Sequence, residues 1–177
     1  MKLRPDVRIA TVEDLTVERV RAMGLRGLLL DVDETLVDTH STDVSSSVRS
    51  WIQTLRSANL RLAIVSNGHP RRVQTVAKTL GIPATPLLGK PFPRAFHRGL
   101  TLLELDAADV AMVGDQVFTD VMGAHWAGLR TILVTPRSSG GLPHTRLLRK
   151  LEARILAGTA IASDPEWIRP NDRESSR

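Results

Sequence analysis

A short apolar run and a group of acids meet in the stretch Gly27-Leu28-Leu29-Leu30-Asp31-Val32-Asp33-Glu34-Thr35. The leucines are typical of a buried parallel strand. Ligands of an open α/β sheet bind just beyond the carboxyl ends of its strands, so Asp31 and Asp33 can both face such a crevice. Close carboxylates repel each other and are costly to desolvate, and a divalent cation relieves that cost. The stretch is interpreted as a metal-assisted site for an anionic substrate; a strand followed by a solvated acidic turn is the alternative.

Length and composition favour one domain, residues 1–177, because 42% of the 177 residues are hydrophobic and can form a sizeable core. The absence of cysteine excludes structural disulfides, thiolate metal sites and a cysteine nucleophile. The net charge of +5 is mild and only 3% of residues are aromatic, which disfavours nucleic acid as a partner. The start of the chain lacks an apolar secretory core, and no run approaches the ~18 apolar residues of a membrane span. These features predict a cytoplasmic protein.

Apolar strands and helices alternate along the chain, and this alternation predicts a parallel sheet with helices on both faces. Strands are expected at residues 27–32, 61–66, 82–88, 109–113 and 131–134. Helices are expected at residues 44–58, 70–80, 93–104 and 119–127. Residues 1–26 are interpreted as an adaptor with a short helix at 16–23. The core spans about residues 25–136, and a basic helix at 144–156 and a polar tail at 163–177 follow it.

Polar residues follow four of these predicted strands at the point where each strand ends. They are Asp31, Asp33 and Thr35, then Ser66 and Asn67, then Lys90, and finally Asp115 and Asp120. Because the carboxyl ends of the strands lie side by side in a doubly wound sheet, these residues are expected to converge. Each group alone fits an ordinary turn, a solvated lysine or a charge at a helix N-terminus. Their shared position at four strand ends favours a functional site.

The converging residues can be given chemical roles in phosphoryl transfer. Asp31 is the expected nucleophile, since a carboxylate can attack phosphorus and form an aspartyl-phosphate. Asp33 is expected to protonate the departing oxygen and then to activate water. Lys90 supplies fixed positive charge to the phosphate and to the nucleophile. Thr35, Ser66, Asn67 and Lys90 are the expected phosphate-binding residues.

The acids also predict a metal site. They have no histidine or cysteine partners at ligand spacing, and a set of oxygen ligands alone suits a hard cation such as Mg²⁺. Asp31, the backbone carbonyl of Asp33 and Asp115 are the expected ligands. Asp120 is expected to support that shell from the start of the following helix.

The same residues resemble the four motifs of the haloacid dehalogenase-like (HAD) phosphohydrolases across about residues 25–136. The motifs correspond to Asp31-Val-Asp33-Glu-Thr35, Ser66-Asn67, Lys90-Pro91 and Gly114-Asp115-Gln-Val-Phe-Thr-Asp120. The resemblance implies a single Rossmann-like three-layer domain whose five parallel strands are ordered 5-4-1-2-3. The second aspartate, Asp33, implies phosphoryl chemistry rather than cleavage of a carbon–halogen bond.

Two segments that carry cap domains in other HAD proteins are short here. About 25 residues separate Asp33 from the second predicted strand, and only one helix lies between Lys90 and Asp109. The chain therefore resembles the capless subfamily IIIA, whose open sites suit large substrates.

The stretch Gly114–Leu129 and the basic stretch 146–152 resemble one branch of that subfamily, which includes bacterial capless phosphatases and the mitochondrial phosphatidylglycerophosphate phosphatase. Glu34 and Gly68 depart from the branch, where asparagine is common at both positions. The resemblance implies a phospholipid headgroup as substrate and peripheral contact with the inner face of a membrane. The basic helix at 144–156 can lie on that membrane or pack on the core.

Several functions stay open at this point. A soluble sugar, nucleotide or protein phosphate is an alternative substrate class. A catalytically silent binding module and a phosphoaspartate receiver domain are alternative kinds of protein. Nothing in the sequence selects an oligomeric state.

Overall fold

A computed structural model describes residues 3–85, 89–137, 154–157 and 161 of the chain. Its centre is a five-stranded parallel sheet in the order β1-β5-β4-β2-β3. The strands are β1 (Val7–Ile9), β2 (Gly27–Leu30), β3 (Arg61–Ile64), β4 (Val110–Gly114) and β5 (Arg130–Val134). All four residues of β2 and all five of β4 are buried, as expected for central strands with both faces covered.

Five α-helices connect the described strands: α1 (Val17–Ala22), α2 (Ser46–Ser57), α3 (Pro70–Leu80), α4 (Pro93–Leu103) and α5 (Met122–Trp126). Local chemistry fixes their ends. The Ser45 side chain accepts a hydrogen bond from the Val48 amide at the start of α2, and Gly81 ends α3 with a left-handed φ of 64°. A single π-helical turn, Val117–Val121, precedes α5. The predicted helices are therefore present, the last one with an irregular first turn.

Alternate residues of the sheet face two separate cores. Leu28 and Leu30 belong to the core that contains Trp51 of α2, whereas Leu29 belongs to the core that contains Phe96 of α4. The side chains of a strand alternate between its two faces, so helices cover the sheet on both sides. The three-layer α/β class predicted from the sequence is confirmed. The described residues contain no inserted cap domain between these elements.

The predicted strand order is also confirmed, with two differences in the elements themselves. The segment expected to form a strand at 82–88 lies parallel to β3 but makes one isolated bridge, between Ile64 and Ala84. The carbonyl of Pro83 accepts from the Ile64 amide, and the Thr85 amide donates to the Ile64 carbonyl. Proline has no amide hydrogen to donate, which limits the length of a ladder here. Residues 86–88 lie outside the described part of the chain.

The second difference is β1, which the sequence analysis assigned to an adaptor. This three-residue strand pairs with β5 at the edge of the sheet. The Asp6 carboxylate accepts hydrogen bonds from the Thr131 amide and hydroxyl at 2.9 and 3.0 Å. His125 of α5 lies 3.1 Å from the same hydroxyl. Side-chain hydrogen bonds thus anchor a strand that is too short to be recognised by its hydrophobic pattern.

Only the end of the predicted C-terminal helix lies among the described residues. Arg154 and Ile155 are helical, and the half-buried Ile155 and Leu156 pack against a core cluster of Val117, Val121 and Leu133. Residues 144–153 and the predicted tail at 163–177 lie outside the described ranges. In the ranges that are described, no helix combines the length and apolar character needed to cross a membrane.

Candidate active site

The carboxyl ends of the sheet strands bring a lysine and two carboxylates into direct contact. The Lys90 Nζ atom donates to Asp31 Oδ1 at 2.7 Å and to Asp120 Oδ1 at 2.5 Å. All three side chains are at most 5% exposed. Asp31 follows β2, and Asp120 lies in the π-helical turn after β4. Residues far apart in the sequence therefore meet where the strand-end rule places a ligand site.

Asn67 fixes the backbone of that lysine. Its Nδ2 atom donates to the Lys90 carbonyl at 3.0 Å, and its Oδ1 atom accepts from the Lys90 amide at 2.7 Å. Both ends of the amide are therefore used to hold the loop after β3 against the loop that carries Lys90. The sequence analysis predicted that Asn67 binds phosphate; the structure shows a contact that positions Lys90.

Three buried acids form the candidate metal site. Carboxylate oxygens of Asp31, Asp115 and Asp120 all lie within 4.8 Å of one another. The Oδ1 atom of Asp115 is buried and has no hydrogen-bond partner among the described residues. Three carboxyl groups face a single lysine, so full ionisation of all three would leave the site short of positive charge. A hard dication that takes oxygen ligands, such as Mg²⁺, fits both the donor set and the partnerless Asp115 oxygen.

The charge shortage shifts the protonation of the acids. Burial, with the neighbouring Asp120 and Asp31, raises the pKa of Asp115 from 3.8 to about 9. Burial also raises the pKa of Asp120 to about 6, although Lys90 opposes that shift. Burial lowers the pKa of Lys90, but Asp120 and Asp31 outweigh this effect, so the net shift is upward and the ammonium form is favoured. Without a metal, the site holds a proton on Asp115 at neutral pH.

Gly114 allows Asp120 to approach the strand end. A Cβ atom built on Gly114 would overlap with the carboxylate of Asp120, whose Oδ2 atom accepts from the Gln116 amide at 3.1 Å. The glycine at the end of β4 is therefore required by a close approach.

The two carboxylate oxygens of Asp33 differ, because one accepts a hydrogen bond and the other has no hydrogen-bond partner among the described residues. Its Oδ2 atom accepts a hydrogen bond from Arg72 Nη2, whereas its buried Oδ1 atom has no hydrogen-bond partner in the described ranges. The side chain is 23% exposed, more than those of Asp31 and Asp120. The predicted acid/base residue thus lies two positions after the predicted nucleophile in the sequence and has the more exposed side chain.

Arg72 is a residue that the sequence analysis did not identify. It lies in the first turn of α3, where its guanidinium reaches Asp33 and also donates to the Ser41 carbonyl at 3.2 Å. The available signal was its place in a helix that begins just after the Ser66 strand end. A second arginine, Arg71, precedes it and is exposed, so the sequence alone did not indicate which of the two faces the site.

The remaining predicted phosphate-binding residues, Ser66 and Thr35, are both buried. Ser66 is buried, and its hydroxyl accepts from the Gly68 amide at 3.2 Å. The Thr35 hydroxyl is buried and has no hydrogen-bond partner among the described residues. Glu34, which departs from the related branch, is buried with a left-handed φ of 57°, and its Oε1 atom accepts from the Thr39 amide at 3.0 Å. Its carboxylate is not part of the three-acid group.

Comparison with known proteins gives the class of this site. The model of the haloacid dehalogenase-like hydrolase family matches residues 42–128, and the model of the mitochondrial PGP phosphatase family matches residues 1–80. A HAD-superfamily hydrolase from Ehrlichia chaffeensis superposes with a TM-score of 0.53 at 16% identity, over 75% of this chain and 98% of that one. This structural likeness supports the fold.

A relative covers nearly the whole chain. The probable phosphatase YqeG of Bacillus subtilis is 32% identical over 163 residues, which are 92% of this chain and 95% of the relative. A glyceraldehyde 3-phosphate phosphatase of Pyrococcus abyssi is 29% identical over 89 residues, 44% of this chain and 37% of that relative. The chain belongs to the haloacid dehalogenase-like hydrolase family. The predicted enzyme class, a HAD-type phosphatase, is confirmed.

The raised pKa of Asp115 predicts a pH-dependent response to Mg²⁺. In the metal-free protein, Asp115 binds a proton in the folded state that the unfolded chain releases above 3.8, so stability falls as pH rises toward about 9. A bound cation replaces that proton and stabilises the fold by mass action. We expect Mg²⁺ to raise the Tm, and to raise it more at pH 8 than at pH 6, in thermal melts against an EDTA-treated sample. An equal effect at both pH values would contradict this explanation.

Asp115→Asn removes the carboxylate that carries the largest electrostatic cost. We expect its Tm in EDTA at pH 8 to exceed that of the wild type by roughly 3–6 °C, which corresponds to about 1–2 kcal/mol in a chain of this length. The same variant should lose the stabilisation by Mg²⁺. The exposed Asp43 provides a matched control, because Asp43→Asn makes the same chemical change away from the site. If Asp115→Asn melts lower than the wild type and still responds to Mg²⁺, the assignment of this acid to the metal site is wrong.

Proposed function

We propose that the protein is a Mg²⁺-dependent phosphomonoester hydrolase that works through an aspartyl-phosphate on Asp31. The observation that carries the proposal is the buried contact of Lys90 with Asp31 and Asp120, with the partnerless oxygen of Asp115 beside it. This arrangement combines a nucleophile, a fixed positive charge and a cation site. The remaining polar groups, Asp33 and Ser66, lie at neighbouring strand ends.

In the first step, an Asp31 carboxylate oxygen attacks phosphorus while the bond between phosphorus and the ester oxygen breaks. Asp33 gives its proton to the departing oxygen, so the alcohol leaves neutral. Lys90 keeps Asp31 ionised and offsets the negative charge that gathers on the phosphoryl group. Asp31 and Asp115, with support from Asp120, would hold Mg²⁺, which when bound neutralises and orients the phosphate oxygens.

In the second step, Asp33 takes a proton from water as the water oxygen attacks phosphorus. The bond between phosphorus and the Asp31 oxygen breaks, and inorganic phosphate leaves. Asp33 ends protonated and Asp31 ends ionised, as they began. The buried hydroxyls of Thr35 and Ser66 are the groups of this chain that can hydrogen-bond the phosphate during both steps.

The proposed substrate is a phospholipid headgroup, most specifically phosphatidylglycerophosphate at an anionic membrane surface. The match of residues 1–80 to the mitochondrial PGP phosphatase family supports this choice. The absence of a cap domain among the described residues leaves the site open to a headgroup that stays in its bilayer. The predicted membrane helix gives less support, since Ile155 and Leu156 at its end pack against the core. The proposal therefore depends on recognition of the headgroup.

Asp31→Asn tests the nucleophile. We expect turnover of p-nitrophenyl phosphate to fall by about 10³-fold or more, because an amide cannot replace the attacking carboxylate. Acid-quenched wild-type protein incubated with a ³²P-labelled substrate should carry hydroxylamine-labile label, and the variant should carry none. Asp43→Asn serves as the control for the chemical change. Turnover near the wild-type rate in Asp31→Asn, with a normal melt, would refute the mechanism.

A lipid assay tests the substrate. We expect phosphate release from phosphatidylglycerophosphate in phosphatidylglycerol vesicles to proceed with a higher kcat/KM than release from soluble glycerol 3-phosphate, because the site is proposed to recognise the lipid headgroup. Sedimentation with the same vesicles at low and high salt measures the surface contact. Good turnover of the soluble ester without turnover of the lipid would refute the lipid substrate and leave the phosphatase reaction in place.

A further inference from the structure

The guanidinium of Arg72 bridges two parts of the site. One nitrogen, Nη2, donates to Asp33 Oδ2, and the other, Nη1, donates to the Ser41 carbonyl at 3.2 Å. The Arg72 side chain is only 14% exposed, which is low for an arginine near a helix start. The bridge connects α3 to the loop that follows the first acidic motif. The bond to Ser41 holds the planar guanidinium in place, and its second nitrogen presents one donor to the Asp33 carboxylate.

This contact distinguishes the two oxygens of Asp33. A guanidinium has hydrogen-bond donors and no acceptor, so an oxygen that faces it cannot carry a proton toward it. The Oδ2 atom of Asp33 is therefore held as an acceptor. The other oxygen, Oδ1, is buried and has no protein partner among the described residues. It is the oxygen that no described protein group occupies, and so the one on which a neutral Asp33 carboxyl can carry its proton.

The local sequence leaves space for the bridge. A Cβ atom built on Gly68 would lie 2.8 Å from Arg72 Nη2 and 3.1 Å from Asp33 Oδ2. A side chain at position 68 would therefore press on both members of the pair. The backbone at Gly68 does not have a positive φ, so alanine is sterically tolerated by the main chain itself. The contact between Arg72 and Asp33 therefore depends on the absence of a side chain at position 68.

From these contacts we infer that Arg72 is a positioning residue for the acid/base chemistry of Asp33, an inference that rests on the proposed phosphatase reaction. Arg72 holds Oδ2 so that Oδ1 delivers the proton to the ester oxygen as the bond to phosphorus breaks. It then holds the same oxygen while Oδ1 accepts the proton of the attacking water. Arg72 itself makes and breaks no covalent bond.

The leaving group provides a specific test. Phenyl phosphate releases a basic phenolate that needs the proton, whereas 2,4-dinitrophenyl phosphate releases an anion that does not. In Arg72→Ala, we expect kcat/KM for phenyl phosphate to fall by about 10- to 100-fold, within the range that general acid catalysis contributes. The value for 2,4-dinitrophenyl phosphate should change by less than about threefold. Because kcat/KM reports the steps through phosphoryl transfer to Asp31, slow hydrolysis of the aspartyl-phosphate does not mask the difference.

Three further variants keep the test decisive if Arg72→Ala does not fold. Arg72→Lys can still donate to Asp33 Oδ2 and should recover part of the phenyl phosphate activity. Gly68→Ala should show the same selective loss as Arg72→Ala, to a smaller degree, with both members of the pair still present. Arg71→Ala removes the neighbouring exposed arginine and should resemble the wild type with both substrates. Thermal melts of all four variants show which of them are folded.

The outcomes separate this inference from the proposed function. If the wild type hydrolyses neither the aryl phosphates nor phosphatidylglycerophosphate, the proposed function fails. If the wild type is active and folded Arg72→Ala loses activity equally on both substrates, or on neither, the positioning role is wrong. If Arg72→Ala does not fold, equal loss or no loss on both substrates in Gly68→Ala and Arg72→Lys overturns the role in the same way. A selective loss of activity with phenyl phosphate in any folded variant at position 72 or 68 supports the positioning role of Arg72.

Discussion

The ion pairs of Lys90 with Asp31 and Asp120 are the interaction on which the rest of the site depends. They join the ends of the central strands β2 and β4 to the loop that precedes α4. An ammonium at 3% exposure is costly to bury and is stable only because carboxylates surround it. Asn67 fixes the backbone of Lys90 from the opposite side, so the lysine has little freedom to leave. The fold therefore places the Lys90 ammonium beside Asp31, the proposed nucleophile.

The sequence predicted the central part of this arrangement for a physical reason. Side chains that follow parallel strands must meet at one edge of the sheet, and the apolar runs before Asp31 and Asp115 are long enough to be recognised. The order of the central strands followed from the family resemblance. The positions of Asp31, Lys90, Asp115 and Asp120 therefore needed no knowledge of side-chain contacts. This is why the acidic cluster could be expected before its distances were known.

Other features depend on tertiary contacts that the hydrophobic periodicity of the sequence does not predict. The strand Val7–Ile9 is three residues long and is anchored by hydrogen bonds between Asp6 and Thr131, which lie 125 residues apart. The segment near Ala84 was expected to be a full strand, but Pro83 leaves one bridge in its described part. Arg72 could not be separated from Arg71 because the choice depends on which one faces Asp33. Each of these outcomes is decided by tertiary geometry rather than by local pattern.

The residues of this site lower the stability of the fold, and such a cost indicates that they are kept for a function. Three carboxyl groups share one ammonium, and Asp115 is left with a buried oxygen that accepts no hydrogen bond from a described residue. A chain selected only for stability would replace such a group or pair it, because a buried unpartnered acid costs free energy. Gly114 also adds to the free-energy cost, because a residue without a side chain is needed at this position for Asp120 to approach. Buried acids with raised pKa values and a missing positive charge are expected where a cation and a phosphate complete the structure. The described residues of the site thus leave its charge unbalanced, which is the property that the proposed cation and phosphate sites require.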